Sequence, residues 1–375
     1  MELTIQKSEL SKIMSVVSTV VQKKTTMPIL VNVLLSAQDG ELSISATDLE
    51  IAAQARASAD ISKAGSTTVN ARVFGDIIRE LPDSDVRLSV GEEDMLSVEC
   101  GNSHTKIICI NADEYPGLPG HHIRGNSTIS ARQLSEMINK TVYSVSLDET
   151  RFNLNGVCFE AVGSDRRRLR MVATDGHRLA LIERDGPAIE IEEESVLIPR
   201  KGLLEVKKLL DEEVGDREVA IAVSEGFFVV ESDLAKISVR LIDGEFPDYN
   251  QVIPREKGTR AEVNSSELLA ALRRVSLLVT DKAKGARFDF SSDTLAISSS
   301  SPELGEAREE VPVKYEGEPL SIGFNARYIM DVIVALEEPT NLVMELNGEL
   351  GPGKLYAEQD RDCIAIVMPM RLSVD

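Results

Sequence analysis

The chain is constrained most by its own repetition. Three blocks open alike, with a short strand running into a helix: Leu3-Thr4-Ile5 before Ser8-Glu9-Leu10, Ser127-Thr128-Ile129 before Ala131-Arg132-Gln133-Leu134, and Ala261-Glu262-Val263 before Ser265-Ser266-Glu267-Leu268. Their starts lie roughly 120 to 135 residues apart, a domain-sized period too long for a solenoid unit. Each block holds a second helix, ARVFGDIIREL from Ala71, PRKGLLEVKKLL from Pro199 and NARYIMDVIVAL from Asn325, with apolar residues at three- and four-residue spacing. Pro199 suits a helix start, where its missing N–H leaves no bond unmade. Segments such as VRLSV, EVAIAV, FFVVES and LVMEL alternate with the period of a strand. The Pro- and Gly-containing stretches 113–119 and 244–254 close the first two blocks. The pattern predicts three α+β domains at 1–120, 127–253 and 254–375, each with two helices packed on mostly antiparallel sheets. The helices are expected over 8–24, 71–81, 130–140, 199–213, 265–284 and 325–338.

Composition narrows the function classes. Aromatics make up 4% and Trp is absent, so the cores must be aliphatic. Four cysteines, at 100, 109, 158 and 363, are too scattered for a disulfide framework or a zinc cluster, which fits a reduced, cytoplasmic setting. Charges at Glu2, Lys7, Glu9 and Lys12 argue against a signal peptide, and no window reaches the ~18 apolar residues of a membrane span. The net charge of -21, from 62 acidic and 41 basic residues, argues at face value against a nucleic-acid binder. The charge is unevenly placed, however. The six expected helices hold 16 Lys+Arg and 13 Asp+Glu, and the rest of the chain holds 25 and 49. Helices sharing one face could therefore meet phosphates while the remainder repels them.

Few motifs carry chemistry. In Thr174-Asp175-Gly176-His177-Arg178-Leu179, Asp175 could orient His177 for general-base work, the basis of a hydrolase reading. The Asp-Gly pair is equally a tight turn between the strands VCFEAVG and LALIER, and no Ser or Cys sits in a nucleophile elbow. Arg166-Arg167-Arg168 with Arg170 reads as a solvated hairpin tip, with a phosphate contact as the alternative. His121 and His122 are adjacent and lack a third ligand, so no metal is expected there. Met368 and Met370 flank Pro369; flexible, polarizable side chains beside a Pro suit an adaptable partner-binding surface, the alternative being core filling.

Longer strings carry a resemblance. VATDGHRLA at 172–180, IPRKGLLEV at 198–206, DGEFPDY at 243–249, IGFNARYIMDVIVAL at 322–336 and VMPMRL at 367–372 together resemble the beta subunit of bacterial DNA polymerase III, the sliding-clamp family. TMPIL at 26–30, ATDLE at 46–50 and RFNLNG at 151–156 extend the match over essentially the whole chain. The resemblance implies a head-to-tail homodimer whose six domains close a ring around duplex DNA, helices inside and sheets outside. It also implies a tether for the replicative polymerase, the clamp loader and other replication and repair proteins, with no reaction catalysed and no cofactor. The implied partner-peptide cleft takes Leu154, Thr174, Gly176, His177, Arg178 and Leu179 from the second domain, and Pro247 and Val252 from its closing segment. The third domain supplies Tyr328, Ile366, Met368, Pro369, Met370 and Arg371. The implied DNA contacts are Lys24, Arg151, Arg200 and Lys201. The implied dimer interface sets Ile107 against Leu277 and Leu278, with Glu303, Glu306, Glu309 and Glu310 facing basic residues across it. The chain departs from the family pattern at Asn153, where an aromatic is common, at Gln251, where a basic residue is common, and at 373–375, past the usual end.

Overall fold

The computed structural model describes residues 1–22, 26–91, 94–119, 127–189, 191, 194–212, 217–278 and 285–371. Lys24, His121, His122 and residues 373–375 lie outside the described residues.

Six α-helices form: α1 (Lys7–Ser18), α2 (Ala71–Glu80), α3 (Ala131–Val142), α4 (Arg200–Glu212), α5 (Ser265–Val275) and α6 (Ala326–Ala335). Asparagines start three of them. The side-chain oxygens of Asn70, Asn264 and Asn325 accept first-turn backbone N–H groups at 3.0 to 3.1 Å, satisfying donors that the helix itself leaves unpaired. Two helices, α1 and α5, stop six or more residues short of the expected ends. After α1 begins to close, the hydroxyls of Ser15, Ser18 and Thr19 each donate to the carbonyl three residues back, a local bond that competes with the helical ladder. At the end of α5, Ser276 Oγ takes the Leu272 carbonyl at 2.6 Å and a single 3-10 turn, Ser276–Leu278, follows. Pro199 is not in a helix; it is the last residue of the strand Val196–Pro199, opposite Gly156, and α4 begins one residue later. Within the observed bounds the helices carry 13 Lys+Arg and 9 Asp+Glu, so the charge asymmetry persists.

The described strand pairs are antiparallel, and the backbone packs as two units. One comprises Met1–Ser135, Pro187–Glu192 and Lys201–Leu241; the other comprises Glu136–Gly186, Glu193–Arg200 and Ile242–Asp375. The first unit holds a 13-stranded sheet in which Ile51–Ser58 of the first repeat pairs with Ala235–Arg240 of the second, Ile51 opposite Val239. The second holds a 12-stranded sheet in which Arg178–Asp185 of the second repeat pairs with Asp360–Val367 of the third, Arg178 opposite Val367. Each sheet thus passes from one repeat to the next at a corresponding strand.

The cores are aliphatic with a few Phe anchors. In the third repeat, Leu268 and Leu272 of α5 and Ile329 and Ile333 of α6 close over Phe288 and Phe324, whose rings meet edge to face at 5.5 Å. Burial of each such side chain stabilises by about 1.5–3 kcal/mol. In the first unit α4 lies so close to the sheet that a Cβ on Gly202 would stand 2.1 Å from Val239 Cγ1, and only glycine fits. All four cysteines are free and buried, and burial pushes the Cys158 and Cys363 thiols up to about 12, so they stay protonated and unreactive. Among the described residues no helix is long and apolar enough to cross a membrane.

Candidate functional site

The densest polar motif of the sequence folds as a tight turn between the strands Arg168–Thr174 and Arg178–Asp185. Thr174 Oγ1 donates to the Arg178 carbonyl at 2.6 Å and accepts the Gly176 N–H at 3.1 Å. Asp175 Oδ1 accepts the backbone N–H groups of His177 and Arg178 at 2.9 and 3.0 Å. Gly176 sits at φ +87°, a left-handed conformation that glycine adopts without steric cost. The turn is docked on the third repeat because Met368 N–H donates to the His177 carbonyl at 2.9 Å.

Asp175 is committed to this turn. Its second oxygen accepts Arg178 Nε at 3.1 Å, and its link to His177 runs to the backbone rather than to the imidazole. The hydrolase reading of Asp175 and His177 is therefore not supported. Arg178, expected as a residue of the partner-peptide cleft, has a side chain only 10% exposed. Its guanidinium reaches Asp331 Oδ2 at 2.6 Å and the Tyr143 carbonyl, and lies 4.5 Å from the centroid of the Tyr328 ring. It holds the cleft's parts together. Sequence reading missed Asp331, although Asp331 stands three residues after Tyr328 on α6 and therefore shares its face.

Around the turn lies an apolar floor with exposed rims. Leu179 and Ile366 are buried with Cys158, Val172, Leu181 and Tyr249 in one cluster, and Leu154 is also buried. Val252 is 42% and Met368 39% exposed, Pro247, His177 and Arg371 are exposed, and Tyr328, Pro369 and Met370 are half-buried. Met368 is therefore surface rather than core filling, while the Met370 N–H bonds the Gly323 carbonyl at 2.8 Å and fixes the segment to the sheet. The hydroxyl of the cluster's Tyr249 donates its proton to Glu160 and accepts from Arg170, both at 2.8 Å. Arg170 also pairs with Glu183, and Arg168 pairs with Glu183 and Asp362 at 2.7 and 2.8 Å. Only Arg166 and Arg167 of the arginine run lie at the hairpin tip; Arg168 and Arg170 are strand residues in ion pairs, unlike the tip expected for the whole run. Asn153 Nδ2 donates to the Glu245 carbonyl and Gln251 Nε2 to Asp248, so both departures from the family pattern are engaged locally.

The expected DNA contacts are partly engaged. Lys201 is ion-paired with Asp48. Burial would raise the Asp48 carboxyl, but Lys201 and the N–H groups of Ile51 and Glu50 outweigh it and hold the group below the usual carboxylate range. Arg151 bonds Asp148 at 3.2 Å and the Asp175 carbonyl at 2.9 Å, and Arg200 is half-buried. At the expected interface, Leu277 is 77% exposed, Leu278 half-buried, and Glu303, Glu306 and Glu310 are exposed. Glu309 is taken by Arg274 at 2.6 Å and Glu310 by Arg308 at 3.0 Å. Ile107 is buried at 7%, whereas its neighbour Ile108 is 76% exposed, because successive residues of the strand Ser103–Ile110 face opposite sides. Among the described residues no three His, Cys, Asp or Glu side chains gather as a metal site.

Three like α+β repeats, with sheets that pass from one repeat to the next, are the architecture of the DNA sliding clamps. The three repeats match the N-terminal, central and C-terminal domains of the DNA polymerase III beta subunit over residues 1–119, 128–248 and 250–371. The chain belongs to that family, the beta sliding clamps, which are non-enzymatic processivity factors. It is 33% identical to the beta sliding clamp of Vibrio cholerae over 99% of this chain and 100% of the relative. The Pseudomonas aeruginosa DNA polymerase III beta subunit superposes with a TM-score of 0.92 at 33% identity, covering 99% of this chain and 100% of that one. The sliding clamp of Bartonella birtlesii bound to griselimycin gives 0.93, also at 33% identity and with 99% and 100% coverage.

Proposed function

We propose that this chain is a DNA polymerase processivity factor: two copies close head to tail into a ring around duplex DNA and tether the replicative polymerase, the clamp loader and other replication and repair proteins. The observation that carries the reading is the threefold repeat, since two copies supply six domains, read as 1–120, 127–253 and 254–375 in each. A head-to-tail contact must close after two copies or it builds a filament. Two strands offer edges for that contact. Ser103–Ile110 is paired along one side by Met95–Cys100, and on the other side only its last residues meet Gly65–Asn70. Gly305–Tyr315 is paired along one side by Thr294–Ser301, and on the other only its last residues meet Thr259–Asn264. In both cases the rest of that side has no described partner, and unpaired N–H and C=O groups of such edges are templates for pairing with another chain. Ile108 and Leu277 are the exposed apolar residues suited to seal it, with Leu278, Glu303 and Glu306 beside them.

Arg151, Arg200 and Lys201, with Lys24, contact phosphates without reading bases, so direct binding is weak and salt-sensitive and persistence comes from encirclement. Lys201 must exchange Asp48 for phosphate to do so. The protein acts in the cytoplasm. The cleft around Leu179, Ile366, Met368 and Met370 takes a short peptide combining a Gln with Leu and an aromatic residue, a reading supported by the ligand-bound Bartonella relative. A peptide burying ~400 Å² of apolar surface gains roughly 10 kcal/mol, and ordering and association costs of about 4 kcal/mol or more leave at most ~6 kcal/mol, a dissociation constant of about tens of micromolar or weaker. Titration of such a labelled peptide should show weaker binding to the Met368→Ala, Met370→Ala double variant than to wild type. Equal affinity, with the dimer intact, would sink the cleft assignment.

A further inference from the structure

The cleft turn has a twin in the first unit. Thr47 Oγ1 donates to the Ile51 carbonyl at 2.9 Å and accepts the Leu49 N–H at 3.0 Å. Asp48 Oδ1 accepts the N–H groups of Glu50 and Ile51 at 3.0 and 2.7 Å. These are the bonds of Thr174 and Asp175, one for one. The docking bond is repeated as well: Arg240 N–H donates to the Glu50 carbonyl at 2.8 Å, as Met368 N–H does to His177. Leu49 takes the place of Gly176, at φ +77°. The twin therefore reproduces the backbone of the cleft while replacing its side chains.

Those replacements point to a ligand. Beside the turn lies a concavity of about 580 Å³ lined by Leu49, Ile51, Leu118, Pro119, Phe227 and Arg240, with Glu50 at its lip. Where the first cleft turn uses glycine, this one holds a leucine in the left-handed region, a conformation that L side chains resist, and leaves that apolar side chain 48% exposed. Strained backbone persists where the surroundings impose it, and often where function uses it. Arg240 is exposed, its guanidinium 5.9 Å from the Phe227 ring centroid, and among the described residues no carboxylate pairs with it. Glu50 makes a run of acidic residues unwelcome. The chemistry fits an extended peptide that places apolar side chains against Leu49 and Leu118 and a single carboxylate opposite Arg240.

We propose that this concavity is a second peptide-docking cleft, selective for a segment with adjacent apolar residues followed by one acidic residue. The ligand class rests on the reading of the first cleft; the geometry of the twin does not. The test is calorimetric titration of the full chain with the probe acetyl-Gln-Leu-Phe-Asp-Gly-amide and its counterpart with Asn in place of the Asp. Wild type should bind two Asp peptides per chain, and Arg240→Glu one, with about tenfold or greater loss at the lost site. The Asn peptide should lose affinity at that site alone. Leu49→Gly, which relieves the left-handed strain, should weaken the same site without lowering Tm. Loss of a site on Met368→Glu, with the Arg240-dependent site retained, separates the two clefts. If Met368→Glu changes nothing while Arg240→Glu still removes a site, the first-cleft reading fails and this one stands. One peptide per chain in wild type, unaffected by Arg240→Glu, would overturn the proposal.

Discussion

Replacing Arg178 by Ala distinguishes a residue that touches the ligand from one that holds the cleft together. Its guanidinium makes charge-assisted bonds to Asp175 and Asp331 and covers Tyr328, all with the side chain 10% exposed. Each charge-assisted bond contributes about 1.5–3 kcal/mol and the cation–π contact about 0.5–1 kcal/mol. Asp331 is 31% exposed and can rehydrate, while Asp175 keeps its two backbone donors, so the sum is trimmed to roughly 3–4 kcal/mol, near the low end for breaking a buried pair. For a unit of this size that is a fall in Tm of roughly 6–16 °C. Thermal unfolding with and without cleft peptide measures it. Arg178→Ala should lower Tm by that amount and weaken peptide binding, and Arg178→Lys, which keeps charge but not the fork geometry, should recover part of both. A Tm within about 2 °C of wild type, with binding weakened, would show that Arg178 acts by direct contact and that the positioning argument is wrong.

Burial would raise Glu136 and Asp360, but hydrogen bonds from Arg184 and Lys140 outweigh it and hold both carboxyls below their ordinary values. A depressed carboxyl gives stability that is present above the unfolded value, about 4, and lost as pH falls through the folded one. Acid titration of Tm should show that loss below about pH 4, and Arg184→Met should flatten it; an unchanged acid limb in the variant would contradict the assignment. At the proposed interface, Ile108→Asp should yield monomers of near wild-type Tm by sedimentation, whereas Ile107→Asp should unfold the first unit by burying a charge. Dimers that survive Ile108→Asp would remove that strand edge from the interface.

The three repeats, the six helices and the cleft turn were legible because each rests on local signals: the repeat period, apolar residues at helical spacing and an Asp-Gly turn. The burial of Arg178 was not, since its partners Tyr143 and Asp331 are supplied by other elements and only tertiary packing brings them together. The same holds for Lys201, whose charge is met by Asp48 more than a hundred residues earlier. The choice between Ile107 and Ile108 turns on parity: in an Ile-Ile pair both residues look equally suitable, and only the register of Ser103–Ile110 against Met95–Cys100 decides which one faces out. The arginine run was half legible, because its Gly163 turn is a local signal and the Glu160, Glu183 and Asp362 partners are not.

Topological retention tests the central claim most directly. Protein loaded by a clamp loader onto nicked circular duplex DNA should remain bound through a high-salt wash that abolishes its direct affinity for short duplexes, and should be released when the circle is cut once. Retention on the linear product equal to that on the circle, or loss from the circle with the same salt dependence as from short duplexes, would contradict a ring that holds DNA by encircling it.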